Sequence, residues 1–253
     1  MRRAWSEKEL KIAFYLYCQT PFGKMNSRNP EIAHYANIIG RTSSALAMKL
    51  VNFASLDPVI IDSGRKGLSN ASKADRKIWD DFHSNWDGLF ADCELLLQNE
   101  FNNPESKDEL QEDIGIYSGK TRTAVVLTRV GQHFFRKSVL SSYQNTCCIS
   151  GVSIPQFLIA SHILPWSKFI ENRLNPSNGL CLSVMHDKAF DSGFISISPD
   201  YIVKISEKLK TSRNDSPQIE LIVSSEGSRI ALPEKFYPNR DFLRWHEENV
   251  FLG

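Results

Sequence analysis

Three polar residues with chemically useful side chains recur in order in the chain: His162, Asn178 and His186, spaced 16 and 8 residues apart. Each lies beside an apolar run that predicts a short strand or helix. An imidazole can act as a general base or bind a metal ion near neutral pH, and an asparagine in a turn can hold backbone groups. A lone histidine is more often structural, so the ordered set, more than any single residue, indicates a functional site.

The segments around these residues are more specific than the residues themselves. The first reads Ala-Ser-His-Ile-Leu-Pro-Trp around His162, the second Asn-Pro-Ser-Asn-Gly around Asn178, and the third His-Asp-Lys-Ala-Phe-Asp-Ser-Gly from His186. Together they resemble the HNH nuclease family over about residues 128–206. The resemblance implies a ββα-metal fold, in which a two-stranded hairpin packs on a helix with one divalent cation between them. It also implies hydrolysis of phosphodiester bonds in duplex DNA.

The same resemblance implies a role for each residue. Phosphodiester hydrolysis needs a deprotonated water and compensation for charge on the leaving oxygen. We expect His162 to be the general base, with a neighbouring carbonyl fixing its tautomer. Asn178 is expected to orient His162 through backbone hydrogen bonds, and His186 to bind the metal ion.

The metal ligands beyond His186 stay open at the sequence level. Many relatives have an acidic residue or a histidine immediately before the general base, whereas this chain has Ser161, which is a poor ligand. Of the two nearby carboxylates we expect Asp191 to be a ligand in preference to Asp187, although neither lies three or four residues from His186. Mg²⁺ or Mn²⁺ suits such a mixed shell, and Zn²⁺ or Ni²⁺ is the alternative.

The N-terminal segment has the pattern of a helix-turn-helix. Residues 6–56 predict three helices: Ser6 begins the first with a capping box, Asn29 before a proline begins the second, and Thr42 or Ser43 caps the third. The segment is similar to the region ahead of HNH cores in bacterial restriction-type endonucleases. The candidate DNA contacts are Arg28, Arg41, Thr42, Ser43, Ser44 and Lys49, joined in the C-terminal half by Arg129, Arg136, Lys137 and Arg173. For each of these residues, helix capping or simple solvation is the alternative to DNA contact.

The remaining pattern predicts an α+β chain in three parts. We expect a helical DNA-recognition domain over 1–60, a connector over 61–119, and a nuclease domain over 120–253. We also expect a loop over 57–72, a long helix over 73–99 and a solvated acidic linker over 102–118. A helix over 128–143 and short strands around 154–164, 180–184, 194–197 and 202–205 are expected beyond it.

Charge and composition limit the class of protein. The net charge is +1, but residues 1–79 hold 13 Lys and Arg against 6 Asp and Glu, residues 80–113 hold 1 against 11, and residues 114–253 hold 16 against 12. Two basic regions around an acidic one are compatible with a DNA partner. The five cysteines are odd in number, so we expect reduced thiols. We expect no membrane span, no signal peptide and a cytoplasmic location.

We therefore expect a restriction-type DNA endonuclease. Cutting both strands with one active site per chain favours a homodimer. The alternatives within the enzyme class are a nuclease dependent on modified cytosine and a triggered, nonspecific defence nuclease. A DNA-binding regulator that has lost catalysis is the alternative from another class, and the missing acid at Ser161 favours it.

Overall fold

A computed structural model of the chain describes residues 3–64, 71–101, 119–211 and 216–253. The chain folds into two compact units, Met1–Phe134 and Phe135–Gly253. The first is helical and the second mixes helices with short strands, which confirms the predicted α+β class. The three-part division at 1–60, 61–119 and 120–253 stays a prediction.

Helices build the first unit, and the caps seen in the sequence begin three of them. Ser6 forms a capping box with Glu9, Asn29 accepts a hydrogen bond from the second helix, and Thr42 accepts one from Ala45 N–H. The three predicted helices are therefore confirmed. In chain order the helices are α1 (Glu7–Gln19), α2 (Pro30–Ile38), α3 (Ser43–Ala54), α4 (Pro58–Asp62), α5 (Lys73–Ser84), α6 (Trp86–Phe101) and α7 (Gly119–Ser142), the last of which continues into the second unit.

Two expectations for residues 57–99 were wrong. The segment expected to be a loop contains α4, because Asp57 caps Val59 N–H ahead of a proline at the first helical position. The long helix expected over 73–99 is interrupted at Asn85, whose backbone leaves the helical region and whose Oδ1 accepts from Gly88 N–H. The acidic linker over 102–118 lies outside the described residues.

Aromatic packing on α1 forms the core of the first unit. The Phe14 ring is fully buried and lies 5.1 Å from the Phe53 ring and 4.5 Å from the Phe82 ring. Each buried side chain of this size contributes about 1.5–3 kcal/mol by leaving water. The apolar face that predicted α1 from the sequence therefore joins α3 and α5 around it.

The second unit contains the expected hairpin and helix. Strands β1 (Leu158–His162) and β2 (Gly179–Ser183) are antiparallel, with His162 opposite Gly179 and Ser161 opposite Leu180. Helix α8 (Val184–Asp191) follows β2 directly and packs on both strands. This order confirms the predicted ββα arrangement. The remaining elements are β3 (Ile195–Ile197) and β4 (Val203–Ile205), which pair antiparallel, and α9 (Glu207–Thr211), α10 (Pro217–Val223) and α11 (Arg240–Asn249).

A second histidine, His246 on α11, supports this core. Its ring stacks on Phe190 at 3.7 Å, its Nε2 donates to the Phe190 carbonyl at 3.3 Å, and its Nδ1 accepts from Ser196 Oγ at 3.0 Å. Burial lowers the pKa of His246 to about 4. A neutral imidazole with both nitrogens bonded ties α11 to β3 and to the end of α8, and its role is structural.

Candidate active site

His162 ends β1 with its ring held from three sides. It stacks on Phe135 at 3.7 Å with an interplanar angle of 11°, and the Trp166 ring meets it edge-on at 5.3 Å. Its Nε2 lies 3.0 Å from the carbonyl oxygen of Arg173. The ring therefore has one defined orientation at the end of the hairpin.

The hydrogen bond to Arg173 also assigns the tautomer of His162. A carbonyl oxygen only accepts, so Nε2 carries the proton and Nδ1 keeps its lone pair. Burial lowers the pKa of His162 below its ordinary value, and the carbonyl raises it by a smaller amount. At neutral pH the ring is thus predominantly neutral and able to accept a proton at Nδ1.

Asn178 is completely buried and holds the loop that supports His162. Its Oδ1 accepts from Leu164 N–H at 2.8 Å, and its Nδ2 donates to the carbonyls of Leu164 at 3.3 Å and Asn172 at 3.0 Å. Asn172 directly precedes the residue whose carbonyl binds His162. The amide thus ties the start of the loop between β1 and β2 to the segment that bears the Arg173 carbonyl, an arrangement that suits the predicted orienting role.

A glycine makes the stacking on His162 possible. Gly179 lies opposite His162 in the hairpin, and a β-carbon there would overlap Val139 and press on the Phe135 ring. The ring of Phe135 occupies that space and covers the imidazole. Sequence reasoning missed Phe135, because the pattern placed it on a basic helix with no sign of its partner.

His186 is 5% exposed and lies in the first turn of α8. Its Nδ1 is hydrogen-bonded to Ser183 Oγ at 2.8 Å, while its buried Nε2 has no hydrogen-bond partner. Burial lowers the pKa of His186. The residue also lines a cavity of about 680 Å³ whose walls include Phe157, Met185 and Ile222. Its assignment as a metal ligand stays a prediction.

Ser161 points the other way from His162 and meets α8. It is 2% exposed. Burial raises the pKa of Asp187, and a side-chain hydrogen bond from the Ser161 hydroxyl lowers it by a smaller amount. Asp191 lies one helical turn further on, and its pKa is raised by burial and by the charge of Asp187. The carboxylate facing β1 is therefore Asp187, the residue that sequence reasoning ranked second.

These donors can accommodate a small divalent cation. The described residues contain no group of three or more His, Cys, Asp or Glu side chains arranged to hold an ion. Mg²⁺, however, needs only one or two carboxylates because it keeps several waters. His186 Nε2, which is buried without a hydrogen-bond partner, is the atom that a bound ion would satisfy.

Comparison with known families identifies this part of the chain. Residues 147–198 match the sequence model of the family described as HNH endonuclease. Residues 147–198 are an HNH domain. The match indicates a nuclease, a hydrolase that acts on DNA, and it covers the hairpin, the loop and α8. No curated protein matches the chain. None of the described helices is long and apolar enough to cross a membrane.

Three cysteines lie within the HNH domain. Cys147 and Cys148 lie before β1 and Cys181 lies within β2, and all three are buried thiols, as are Cys18 and Cys93 in the first unit. Burial raises the pKa of Cys148 and Cys181. Such thiols behave as small apolar residues in the core.

Two arginines near the HNH site donate hydrogen bonds to backbone carbonyls of the domain. Arg136 donates to the carbonyl of Leu158 at 2.9 Å, where β1 begins. Arg173 donates from Nε to the Trp166 carbonyl at 2.7 Å and lies over the Trp166 ring at 5.1 Å. Both were predicted to contact DNA, and the structure gives each an internal partner.

Two predicted DNA contacts of the first unit also have internal partners. Arg41 binds Glu9 at 2.9 Å, and Lys49 is buried and binds Asp75 at 2.8 Å. Both cations lie over the Trp5 ring, at 4.5 and 5.1 Å. Removing Lys49 would leave the completely buried carboxylate of Asp75 unpaired, which is costly. These two residues stabilise the helical unit.

The other candidate DNA contacts differ in exposure. Arg28, Thr42, Ser44 and Arg129 are exposed, while Ser43 and Lys137 are half-buried. Thr42 uses its Oγ1 to cap α3, as the capping alternative for this residue expected. Their contact with DNA stays a prediction.

Proposed function

We propose that the chain is a divalent-metal-dependent endonuclease that hydrolyses phosphodiester bonds of duplex DNA, with His162 as the general base. The observation that carries the proposal is the hydrogen bond from His162 Nε2 to the Arg173 carbonyl, which leaves Nδ1 free to accept a proton. The HNH match to residues 147–198 supports the choice of substrate class.

The chemistry follows from the positions of the residues. His162 Nδ1 takes a proton from a water molecule, and the resulting hydroxide attacks the phosphorus of a bound phosphodiester. Phe135 and Trp166 keep the imidazole in the required plane, and the loop held by Asn178 keeps the Arg173 carbonyl in place. A divalent ion, when bound by His186, would supply the charge that stabilises the leaving 3′ oxygen.

We propose that the helical first unit reads DNA through the N-terminal end of α3. In a helix-turn-helix the second helix presents its N-terminal residues to the major groove. Thr42 and Ser44 are exposed at that end of α3, and Arg28 is exposed just ahead of α2. These residues, unlike Arg41 and Lys49, can meet a duplex without loss of an internal ion pair.

The biological role that we propose is restriction of foreign DNA by a homodimer. Each chain has one His162, and a double-strand cut needs one active site for each strand. A dimer of this kind would cut at a palindromic or paired site.

Cleavage of supercoiled plasmid tests the proposed function. Purified protein is incubated with plasmid in Mg²⁺, in Mn²⁺, or in EDTA, and the nicked and linear products are separated on a gel. We expect linear DNA with either ion and none with EDTA. Products in EDTA would contradict the metal dependence, and no product from methylated or unmethylated plasmid with any ion would contradict the endonuclease assignment.

A further inference from the structure

A cavity of about 680 Å³ lies in the second unit, with walls from the start of α8 and from α10. Large apolar side chains are exposed around it: Phe157 is 56% exposed, Met185 45% and Leu221 70%. Together with Val184 they are four of the nine large apolar side chains that are exposed in the described part of the chain. We call these four side chains and the cavity the apolar surface. Singly exposed apolar residues are common, but a cluster of them around a concavity marks an interaction site.

The apolar surface differs from the rest of the chain in its charge. Among the described residues that line the cavity, none is Asp, Glu, Lys or Arg, although such residues make up 23% of the chain. Its polar groups are serine hydroxyls, the Gln218 amide and the His186 imidazole. A surface that binds the DNA backbone needs Lys or Arg side chains against the phosphates. A duplex is therefore not the partner that this surface fits.

A second copy of the chain fits a surface of this composition. A twofold axis places the same patch on both sides of a contact, so charged residues near the axis would face like charges. A patch without carboxylates, lysines or arginines avoids that repulsion. Homodimer interfaces also have apolar cores that are poor in charge and rich in aromatic residues and Met, the residue types of Phe157 and Met185. Leu221, the most exposed of the four side chains, projects beside the cavity, so each copy can offer both a projection and a hollow.

The apolar surface lies at the end of the hairpin that is remote from His162. Leu158 pairs with Ser183 at this end, while His162 is the last residue of β1 at the other end. Phe157 directly precedes this pair and Val184 directly follows it along the chain. A strand rises about 3.3 Å per residue, so His162 lies about 13 Å along β1 from this end. A partner on the apolar surface therefore need not cover the end of the hairpin that bears His162.

We propose that two copies of the chain associate through the apolar surface about a twofold axis, burying Phe157, Met185 and Leu221 of each copy. The proposal rests on the proposed function, because it gives a contact surface to the homodimer that would cut both strands. His186 lines the same cavity, so the contact adjoins the HNH helix α8 in each copy. Each copy then keeps its own His162, and the pair presents two active sites to one duplex.

Analytical ultracentrifugation of the full chain over a range of concentrations tests the contact. We expect the wild-type protein to form a dimer, and Leu221→Lys and Phe157→Lys each to weaken dimerisation by at least about tenfold. A lysine in the interface loses its water and meets a like charge brought by the other copy. The matched control is Ile61→Lys, which changes an apolar residue that is 55% exposed on α4 of the first unit and should leave dimerisation unchanged. Circular dichroism reports the folding of each variant.

Plasmid cleavage by the same proteins separates the contact from the proposed function. If both hold, the dissociated lysine variants should still nick supercoiled plasmid while producing less linear DNA than the wild-type protein. A wild-type protein that stays monomeric with and without duplex DNA, or a dimer that both lysine variants leave intact, would overturn the contact whether or not DNA is cut. A dimer that the lysine variants dissociate, but that cuts no DNA, would overturn the proposed nuclease and leave the contact.

Discussion

Replacement of Asn178 should disable the enzyme by releasing the loop that supports His162. Asn178→Ala removes three hydrogen bonds, with lengths of 2.8, 3.0 and 3.3 Å. Each bond contributes about 1 kcal/mol, and the buried Leu164 N–H left without a partner adds about 1–2 kcal/mol. We therefore expect the free energy of unfolding to fall by about 4–5 kcal/mol.

Equilibrium denaturation in urea measures this loss, and the activity of the variant tests its consequence. The Arg173 carbonyl should no longer hold His162, so cleavage should fall even under conditions where the variant is folded, while affinity for DNA changes little. The matched control is Asn249→Ala, which removes one exposed hydrogen bond to the Trp245 carbonyl and should cost at most about 0.5 kcal/mol. A stability loss below about 1 kcal/mol for Asn178→Ala, or full cleavage, would refute the reasoning.

Three further predictions concern stability. Burial raises the pKa of Glu9, but hydrogen bonds led by the one from Arg41 outweigh this effect and lower the pKa to about 2. The free energy of unfolding should therefore fall by up to about 3 kcal/mol as the pH falls from 4.5 to 2. Urea denaturation at each pH should show a smaller fall in Glu9→Gln. Burial lowers the pKa of His246 to about 4, so the free energy of unfolding of the wild-type protein should also fall as the pH falls from 6.5 to 4. This fall should be absent in His246→Asn, and an unchanged fall would contradict the buried neutral state. Gly193→Ala should lower the melting temperature more than Gly151→Ala does. Both glycines have positive φ, but only a β-carbon at position 193 would overlap the backbone of another segment, at Val250. Equal losses of melting temperature would contradict this contact.

Local chemistry in the sequence predicted the elements well where caps were present. Ser6, Asn29 and Thr42 begin the helices that their side chains suggested. The same signal, a cap residue before proline, stands at Asp57 and could have predicted α4. Asn85 similarly carries a capping signal inside the long helix predicted over 73–99.

Long-range pairing is what the sequence could not provide. Arg41 and Lys49 were expected to face DNA, but their partners Glu9 and Asp75 lie 32 and 26 residues away. Periodicity indicates which face of a helix is apolar, and it carries no information on which charges meet across the fold.

The candidate site was predictable in its residues and less so in its ligands. His162 and Asn178 lie together in the hairpin and its loop. Asp187 ranked low because it was judged by its distance from His186 along α8, whereas its contact is with Ser161 on β1. A strand neighbour cannot be read from spacing on a helix.

Cleavage of duplex DNA by His162→Ala is the most direct test of His162 as the general base. Wild-type protein, His162→Ala and His133→Ala are compared under single-turnover conditions with Mg²⁺, with DNA affinity and melting temperature measured in parallel; His133 is an exposed histidine outside the site. Loss of a general base typically costs about 10²–10⁴-fold in rate, so we expect a loss of that size for His162→Ala and none for His133→Ala. A folded, DNA-binding His162→Ala protein that cuts within a few-fold of the wild-type rate would contradict the assignment.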